Sequence, residues 1–154
     1  AIYCGCPLSN IKKRLKFIDL PERRLAISNS LKGSILIDDS YNSNPASLKN
    51  AVDSLEGLER KKVCILGDMK ELGSDSQKIH QEMYEYISER VDQIFCIGDE
   101  WSTCSPNEKK DLSIFENQDD LYSHLISIID KKTILLVKGS RSTRMDLLAD
   151  KLKK

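Results

Sequence analysis

At 154 residues the chain is long enough for one α/β domain with its own core and a short appendage. Acidic and basic residues balance at 24 each, which leaves no basic field for nucleic acid. No apolar run approaches the roughly 18–20 residues that span a bilayer. The N-terminus, Ala1-Ile2-Tyr3-Cys4-Gly5-Cys6, lacks the basic and long apolar regions of a signal peptide, and it lacks an initiator Met, as expected of a fragment. The five cysteines stand at 4, 6, 64, 96 and 104. Cys64 and Cys96 fall inside apolar strand candidates, where Cys acts as a small hydrophobe. The one-residue spacing of Cys4 and Cys6 does not suit a zinc knuckle. Such usage points to a reducing, cytoplasmic location.

In chain order, Ser9 to Phe17 reads as a short amphipathic helix, with Ile11, Leu15 and Ile18 apolar and Ser9 as its cap. Pro21-Glu22-Arg23-Arg24 interrupts it as a hinge. Leu25–Ser28 and Ser34–Ile37 flank Lys32-Gly33 as a hairpin. The apolar run Ile35-Leu36-Ile37 ends in Asp38-Asp39, and after a polar turn Asn44 caps a helix that opens on Pro45. Its inward face is Leu48, Ala51, Val52 and Leu55, with Gly57 near its end. Strand Lys62–Leu66 closes on Gly67-Asp68. The helix that starts at Ser74 or Ser76 turns Ile79, Met83 and Ile87 inward. Strand Gln93–Ile97 closes on Gly98-Asp99.

The segment Trp101 to Asp111 reads as loop with at most a helical turn, and Leu112–Phe115 as a short strand near an edge. Asn117 caps a helix with Asp119 and Asp120 in its first turn, where the macrodipole favours negative charge. Leu121, Leu125, Ile128 and Ile129 face inward. Strand Thr133–Val137 runs into Lys138-Gly139-Ser140-Arg141, and a last helix aligns Met145, Leu148 and Leu152. Strands alternating with helices imply crossover units. The expected fold is a Rossmann-like three-layer α/β domain, with a mainly parallel sheet of about six strands and an antiparallel N-terminal edge hairpin.

Four strand ends carry polar or glycine-rich turns: Asp38 to Asn42, Gly67-Asp68-Met69, Gly98-Asp99 and Lys138 to Arg141. A parallel sheet puts them on one rim, where glycine admits a ligand to the backbone and helix N-termini attract anions. Neither a G-x-x-x-x-G-K-[ST] phosphate loop nor a G-x-G-x-x-G fingerprint is present. His80 reads as a partly exposed helix residue, His124 as solvent-facing, and Trp101 as a packing residue. On these residues alone the domain binds, and its partner for chemistry lies elsewhere.

"DDSYNSNPASLKNAV" (38–52), "ILGDMKELG" (65–73) and "LVKGSRSTRMDLL" (136–148) together resemble the C-terminal domain of the Mur ligases, in order, over about 110 residues. The resemblance implies that residues 1–24 are the tail of a central ATPase domain ending in a hinge arginine, Arg24, and that 25–154 form the C-terminal domain. The chain would then be an excised domain without the N-terminal nucleotide-sugar domain and most of the ATPase domain. The reaction it implies, in peptidoglycan synthesis, is an ATP- and Mg2+-dependent amide ligation. D-alanyl-D-alanine is joined to UDP-N-acetylmuramoyl-tripeptide through an acyl phosphate.

By the resemblance Arg24 reaches the ATP phosphates or ribose, Asp39 the ribose hydroxyls, and Asn42 with Tyr41 the adenine. Asp68, Met69 and Leu72, with Lys138, Ser140 and Arg141, face the dipeptide or stem peptide. These residue types suit the task, since guanidinium neutralises phosphate and carboxylate accepts from a diol. No catalytic residue or metal ligand is expected in this fragment, which would be inactive alone, with ATP and Mg2+ held mainly by the missing central domain. Arg23 stands where many members have glycine. Two rival readings are a phospho-receiver signalling domain, imitated by Asp38, Asp39 and Lys138, and a non-catalytic nucleotide-binding module.

Overall fold

Apolar runs bounded by turn residues become strands in a computed structural model of the chain, which describes residues 5, 7–15, 21–106 and 112–154. The strands are β1 (Ala26–Asn29), β2 (Ile35–Asp39), β3 (Lys61–Gly67), β4 (Gln93–Ile97), β5 (Leu112–Phe115) and β6 (Thr133–Lys138). They lie in the order β1-β2-β6-β3-β4-β5. β1 is antiparallel to β2, and every other neighbouring pair is parallel. The expected mainly parallel α/β architecture and its antiparallel edge hairpin are borne out. Lys32 and Gly33, at φ 53 and 78, turn the hairpin through two successive left-handed residues. A flavodoxin-like receiver orders its strands 2-1-3-4-5. Here the last strand, β6, lies between β2 and β3, so the receiver reading fails on topology.

The helices are α1 (Leu8–Leu15), α2 (Pro45–Asp53), α3 (Ser76–Ser88), α4 (Asp99–Ser102), α5 (Gln118–Ile128) and α6 (Met145–Leu152). Side chains alternate across a sheet, so each inner strand feeds two cores. Ile37, Cys64, Leu66, Ile94, Cys96, Ile134 and Leu136 pack under α2, α3 and Trp101. Leu36, Val63, Ile65, Phe95, Leu135 and Val137 pack under α5 and α6. Burial of both faces explains why the inner strands read as continuous apolar runs. Among the described residues no helix is long and apolar enough to cross a membrane.

Helix starts follow their caps. The Asn44 side chain accepts from the Ser47 N–H at 2.9 Å while the Ser47 hydroxyl accepts from the Asn44 N–H at 3.1 Å, a reciprocal box ahead of Pro45 that contributes about 1 kcal/mol. Asn117 accepts from the Asp119 and Asp120 N–H groups. Ser9 is not the cap of α1. The Pro7 carbonyl accepts from the Asn10 and Ile11 N–H groups, which places Ser9 inside the first turn. Phe17 and Ile18 lie outside the described residues.

Both histidines depart from expectation. His80 is fully buried, because it completes the 80-83-84-87 face of α3 with Met83, Tyr84 and Ile87. Its polarity is met within the core: Nε2 accepts from the Met69 N–H at 3.1 Å, and Nδ1 lies 2.8 Å from the Ser76 carbonyl. That pairing requires a donor at Nδ1 and an acceptor at Nε2. Trp101, buried as expected, meets the imidazole edge-on at 4.8 Å. His124 is half-buried against Phe95 and Phe115, at 5.0 and 5.3 Å between ring centroids. The short edge strand β5 leaves an aromatic shelf that the imidazole covers.

Cys64, Cys96 and Cys104 are buried free thiols. Burial pushes Cys64 up to about 12, Cys104 up to about 11, and Cys96 well above its ordinary value. Reactivity belongs to the thiolate, so Cys64 and Cys96 should stay unlabelled by iodoacetamide at pH 8 in the native protein and react once urea unfolds it. Peptide mapping by mass spectrometry reads this, and labelling of either strand cysteine in the native state would contradict the core placement.

Candidate functional site

In the parallel sheet β6 lies beside β2, and their last residues, Lys138 and Asp39, are direct register partners. The connection leaving β3 runs through α3 on one face, while that leaving β6 runs through α6 on the other. Ligands in open α/β sheets bind beyond the carboxyl ends at such a reversal. The Lys138 ammonium donates to Asp39 Oδ2 and, at 2.9 Å, to the Asn42 carbonyl. Asp39 Oδ1 accepts from the Leu25 N–H at 3.1 Å. Lys138 is only 2 % exposed, so its charge is directed to Asp39 and away from solvent. A carboxylate has about four lone-pair sites, and Asp39 retains acceptor capacity toward its cleft.

Asp38 sits one residue earlier and faces the opposite side. Its Oδ1 accepts from the Ser40 N–H and hydroxyl at 3.2 and 2.5 Å, and Lys153 lies 2.9 Å from Oδ2.

Ser140 joins the turns after β2, β3 and β6. Its N–H donates to the Asp68 carbonyl at 3.0 Å, its Oγ accepts from the Lys70 N–H at 2.8 Å, and its hydroxyl reaches the Ser43 carbonyl at 3.5 Å. Asp68 is buried beneath the rim, accepting from the Lys70 ammonium at 2.8 Å and the Trp101 N–H at 3.3 Å. The Asp68 hydrogen bond, opposed by burial, pushes the Lys70 ammonium up. Gly98, at φ 129, has no room for a Cβ, which would stand 2.2 Å from the Asp68 carboxylate.

Among the described residues three clefts meet at Tyr41 on this rim; one is lined by Arg23, Ser40, Arg141, Arg144 and Asp146, and the other two hold most of the expected site residues. The first of these two, about 400 Å³, is lined by Arg24, Asp39, Tyr41, Asn42 and Lys138, with Asn44, Ser47 and Asn50 from the start and outer face of α2. The second, about 460 Å³, is lined by Leu72, Ser140 and Arg141 with Tyr41, Asn42, Lys70 and Glu71. Tyr41 belongs to both, and the guanidinium carbons of Arg24 and Arg141 lie 4.6 and 5.6 Å from its ring centroid. Arginine favours an aromatic face at such distances. Asp68 and Met69 line neither cleft; Met69 is buried, its N–H held by His80. Lys138 lines the first cleft, not the second. Sequence reasoning does not single out Asn44, Ser47 and Asn50 as cleft residues, although the capping signal at Asn44 places the first two at the mouth of the rim; Lys70 and Glu71 belong to the 67–72 loop that the resemblance turns toward the dipeptide or stem peptide.

Fold and rim together define a Rossmann-like α/β domain with a two-cleft candidate site at its topological switch point. The chain belongs to the Mur ligase family: the family model described as "Mur ligase, glutamate ligase domain" matches residues 23–141, well over half of the sequence. UDP-N-acetylmuramoyl-tripeptide–D-alanyl-D-alanine ligase of Buchnera aphidicola (Acyrthosiphon pisum) is 37 % identical over 151 residues, covering 95 % of this chain and 32 % of that protein. The enzyme of that name from Haemophilus influenzae is 32 % identical over 164 residues, covering 99 % of this chain and 35 % of that protein. A crystal structure of MurF from Acinetobacter baumannii superposes with a TM-score of 0.82 at 30 % identity, covering 100 % of this chain and 35 % of that one. The chain thus spans about a third of the length of the curated relatives it matches.

Removing one member of a buried ion pair leaves an uncompensated charge, at a cost of about 3–5 kcal/mol. Lys138→Met should therefore lower the urea-derived stability by about that amount, and Lys138→Met with Asp39→Leu should lose much less. A loss in the double variant equal to the sum of the Lys138→Met and Asp39→Leu losses would show that the pair is not coupled.

Proposed function

We propose that this chain is the C-terminal domain of a cytoplasmic ATP-dependent amide ligase of peptidoglycan synthesis, which joins D-alanyl-D-alanine to UDP-N-acetylmuramoyl-tripeptide through an acyl phosphate. In this reading residues 1–24 end the ATP-binding domain and form the hinge, and 25–154 form the domain that presents the dipeptide and covers the nucleotide. The observation that carries it is the convergence of Arg24, Asp39, Tyr41 and Asn42 on one cleft, in a chain of the Mur ligase family whose relatives bear that ligase name.

The residues of the first cleft fit a nucleotide edge. Arg24 is exposed and its guanidinium is available to phosphate oxygens. Tyr41 offers an exposed aromatic surface and Asn42 an amide to a base, and the free lone pairs of Asp39 suit a diol. Arg141, exposed at the second cleft, suits the carboxylate of a dipeptide. In the same reading Mg2+, like ATP, is held mainly by the central domain of the full-length protein. Binding by both clefts around Tyr41 would bring the nucleotide and the incoming amine to one rim.

The test is phosphate release by the full-length protein with UDP-N-acetylmuramoyl-tripeptide and ATP, with and without D-alanyl-D-alanine. Release should depend on the dipeptide, and Arg24→Ala and Tyr41→Ala should each lower kcat/KM for ATP by about tenfold or more at unchanged thermal stability. These exposed positions are cleaner probes than Asp39, whose loss also breaks the buried pair. Release indifferent to the dipeptide would overturn the reading. The 154-residue chain alone should not turn over ATP.

A further inference from the structure

Arg24 is delivered to its cleft by a backbone that residues with a Cβ avoid. Arg23 and Leu25, on either side of it, stand at φ 62 and 51, the left-handed region that disfavours side chains and is a clear outlier for a bulky residue. Such a turn persists only where its surroundings over-determine it. Here four contacts do so. The Tyr41 N–H donates to the Arg23 carbonyl at 3.2 Å and the Leu25 N–H donates to Asp39 at 3.1 Å, which fixes the segment to the turn after β2. The Arg23 guanidinium reaches the other way, to α6, donating to Asp150 at 2.9 Å with Asp146 at 3.7 Å. Asp146 and Asp150 are four residues apart, on one face of the helix. Asp150 also holds Lys153, at 3.1 Å, and Lys153 reaches Asp38 at 2.9 Å. The hinge, the last helix and the end of β2 thus share one charge network.

We propose that Arg23 is a positioning residue: latched onto Asp146 and Asp150 of α6, it holds the hinge in the left-handed turn that lays Arg24 against Tyr41 at the first cleft. This rests on the reading above in one respect only, that Arg24 faces the nucleotide there. An ordinary surface ion pair contributes little. This one differs because its acceptors are shared within a network and two of its three side chains, Arg23 and Asp146, are only 28 and 25 % exposed, while Asp150, which takes the hydrogen bond, is 46 % exposed. The Asp150 hydrogen bond, opposed by burial, holds Arg23 above its ordinary pKa. Burial alone would raise the Asp150 carboxyl, but Arg23 and Lys153 outweigh it and hold it below the usual range. The latch also accounts for an arginine at a position whose φ suits glycine: the guanidinium supplies an anchor that glycine lacks.

Two measurements test the latch separately from the reaction. On the 154-residue chain, trypsin cleavage of the Arg24–Leu25 bond should accelerate about tenfold in Arg23→Ala and in Asp150→Asn. The charge swap Arg23→Asp with Asp150→Arg should restore protection. In the full-length protein, Arg23→Ala and Asp150→Asn should raise KM for ATP at least about fivefold, with kcat and the dipeptide KM within about twofold. Arg23→Gly, which accepts the φ and lacks the guanidinium, should behave as Arg23→Ala. Cleavage at the wild-type rate in both variants overturns the latch. Faster cleavage with an unchanged ATP KM overturns positioning, as does an Arg23→Gly enzyme that behaves as wild type. If the wild-type protein shows no dipeptide-dependent release, the ligase reading fails, and the trypsin comparison still decides for or against the latch.

Discussion

The buried contact between Lys138 and Asp39 is the constraint from which the rim is built. Two charges removed from water are tolerated only when each is paired and its remaining hydrogen-bonding capacity is met, and that requirement recruits the surroundings. The ammonium takes the Asn42 carbonyl, and the carboxylate takes the Leu25 N–H. The ends of β2 and β6, the turn after β2 and the entry of the chain into β1 are thereby set against one another. Tyr41 and Asn42 are left at the surface between two clefts because their neighbours on both sides are fixed.

Around that contact the other strand ends close by steric fit as much as by charge. A Cβ on Gly67 or Gly139 would meet the Thr143 hydroxyl at 2.4 or 2.6 Å, so the turn before α6 packs directly on two strand termini. Ser140 then bonds to the turns after β2 and β3. Cations divide by how they are held. Lys138 is enclosed, Lys70 and Lys153 are tied to buried carboxylates, and Arg24 and Arg141 flank Tyr41 with their guanidinium groups exposed to the clefts. A rim with its structural charges neutralised and two guanidinium groups presented is suited to anionic ligands.

Much of the fold is legible in the order of residues alone. Apolar runs ending in glycine or acidic residues locate the inner strands, and Asn44-Pro45 and Asn117 locate two helix starts, because capping chemistry is local. Where fold and pattern part, the reason is physical. The polarity of His80 suggests exposure, although Met83, Tyr84 and Ile87 complete its face at helical spacing; a buried imidazole needs only two partners, and Met69 and Ser76 supply them. His124 lies at a half-buried position where Phe95 and Phe115 converge from different strands. Ser9 has the composition of a cap but not its position, since Pro7 already offers its carbonyl.

By itself the sequence determined the alternation of strands and helices, the main inward positions of the helices and the four polar turns, since hydrophobic period, turn chemistry and capping act over a few residues. Tertiary structure alone decided which charges meet. Asp38 and Asp39 are adjacent in sequence, yet strand alternation sends one toward Lys153 and the other toward Lys138. Arg23 finds Asp150 across a separation of 127 residues. Those pairings depend on β6 entering the sheet between β2 and β3, and strand order is set by long-range packing that no local pattern encodes.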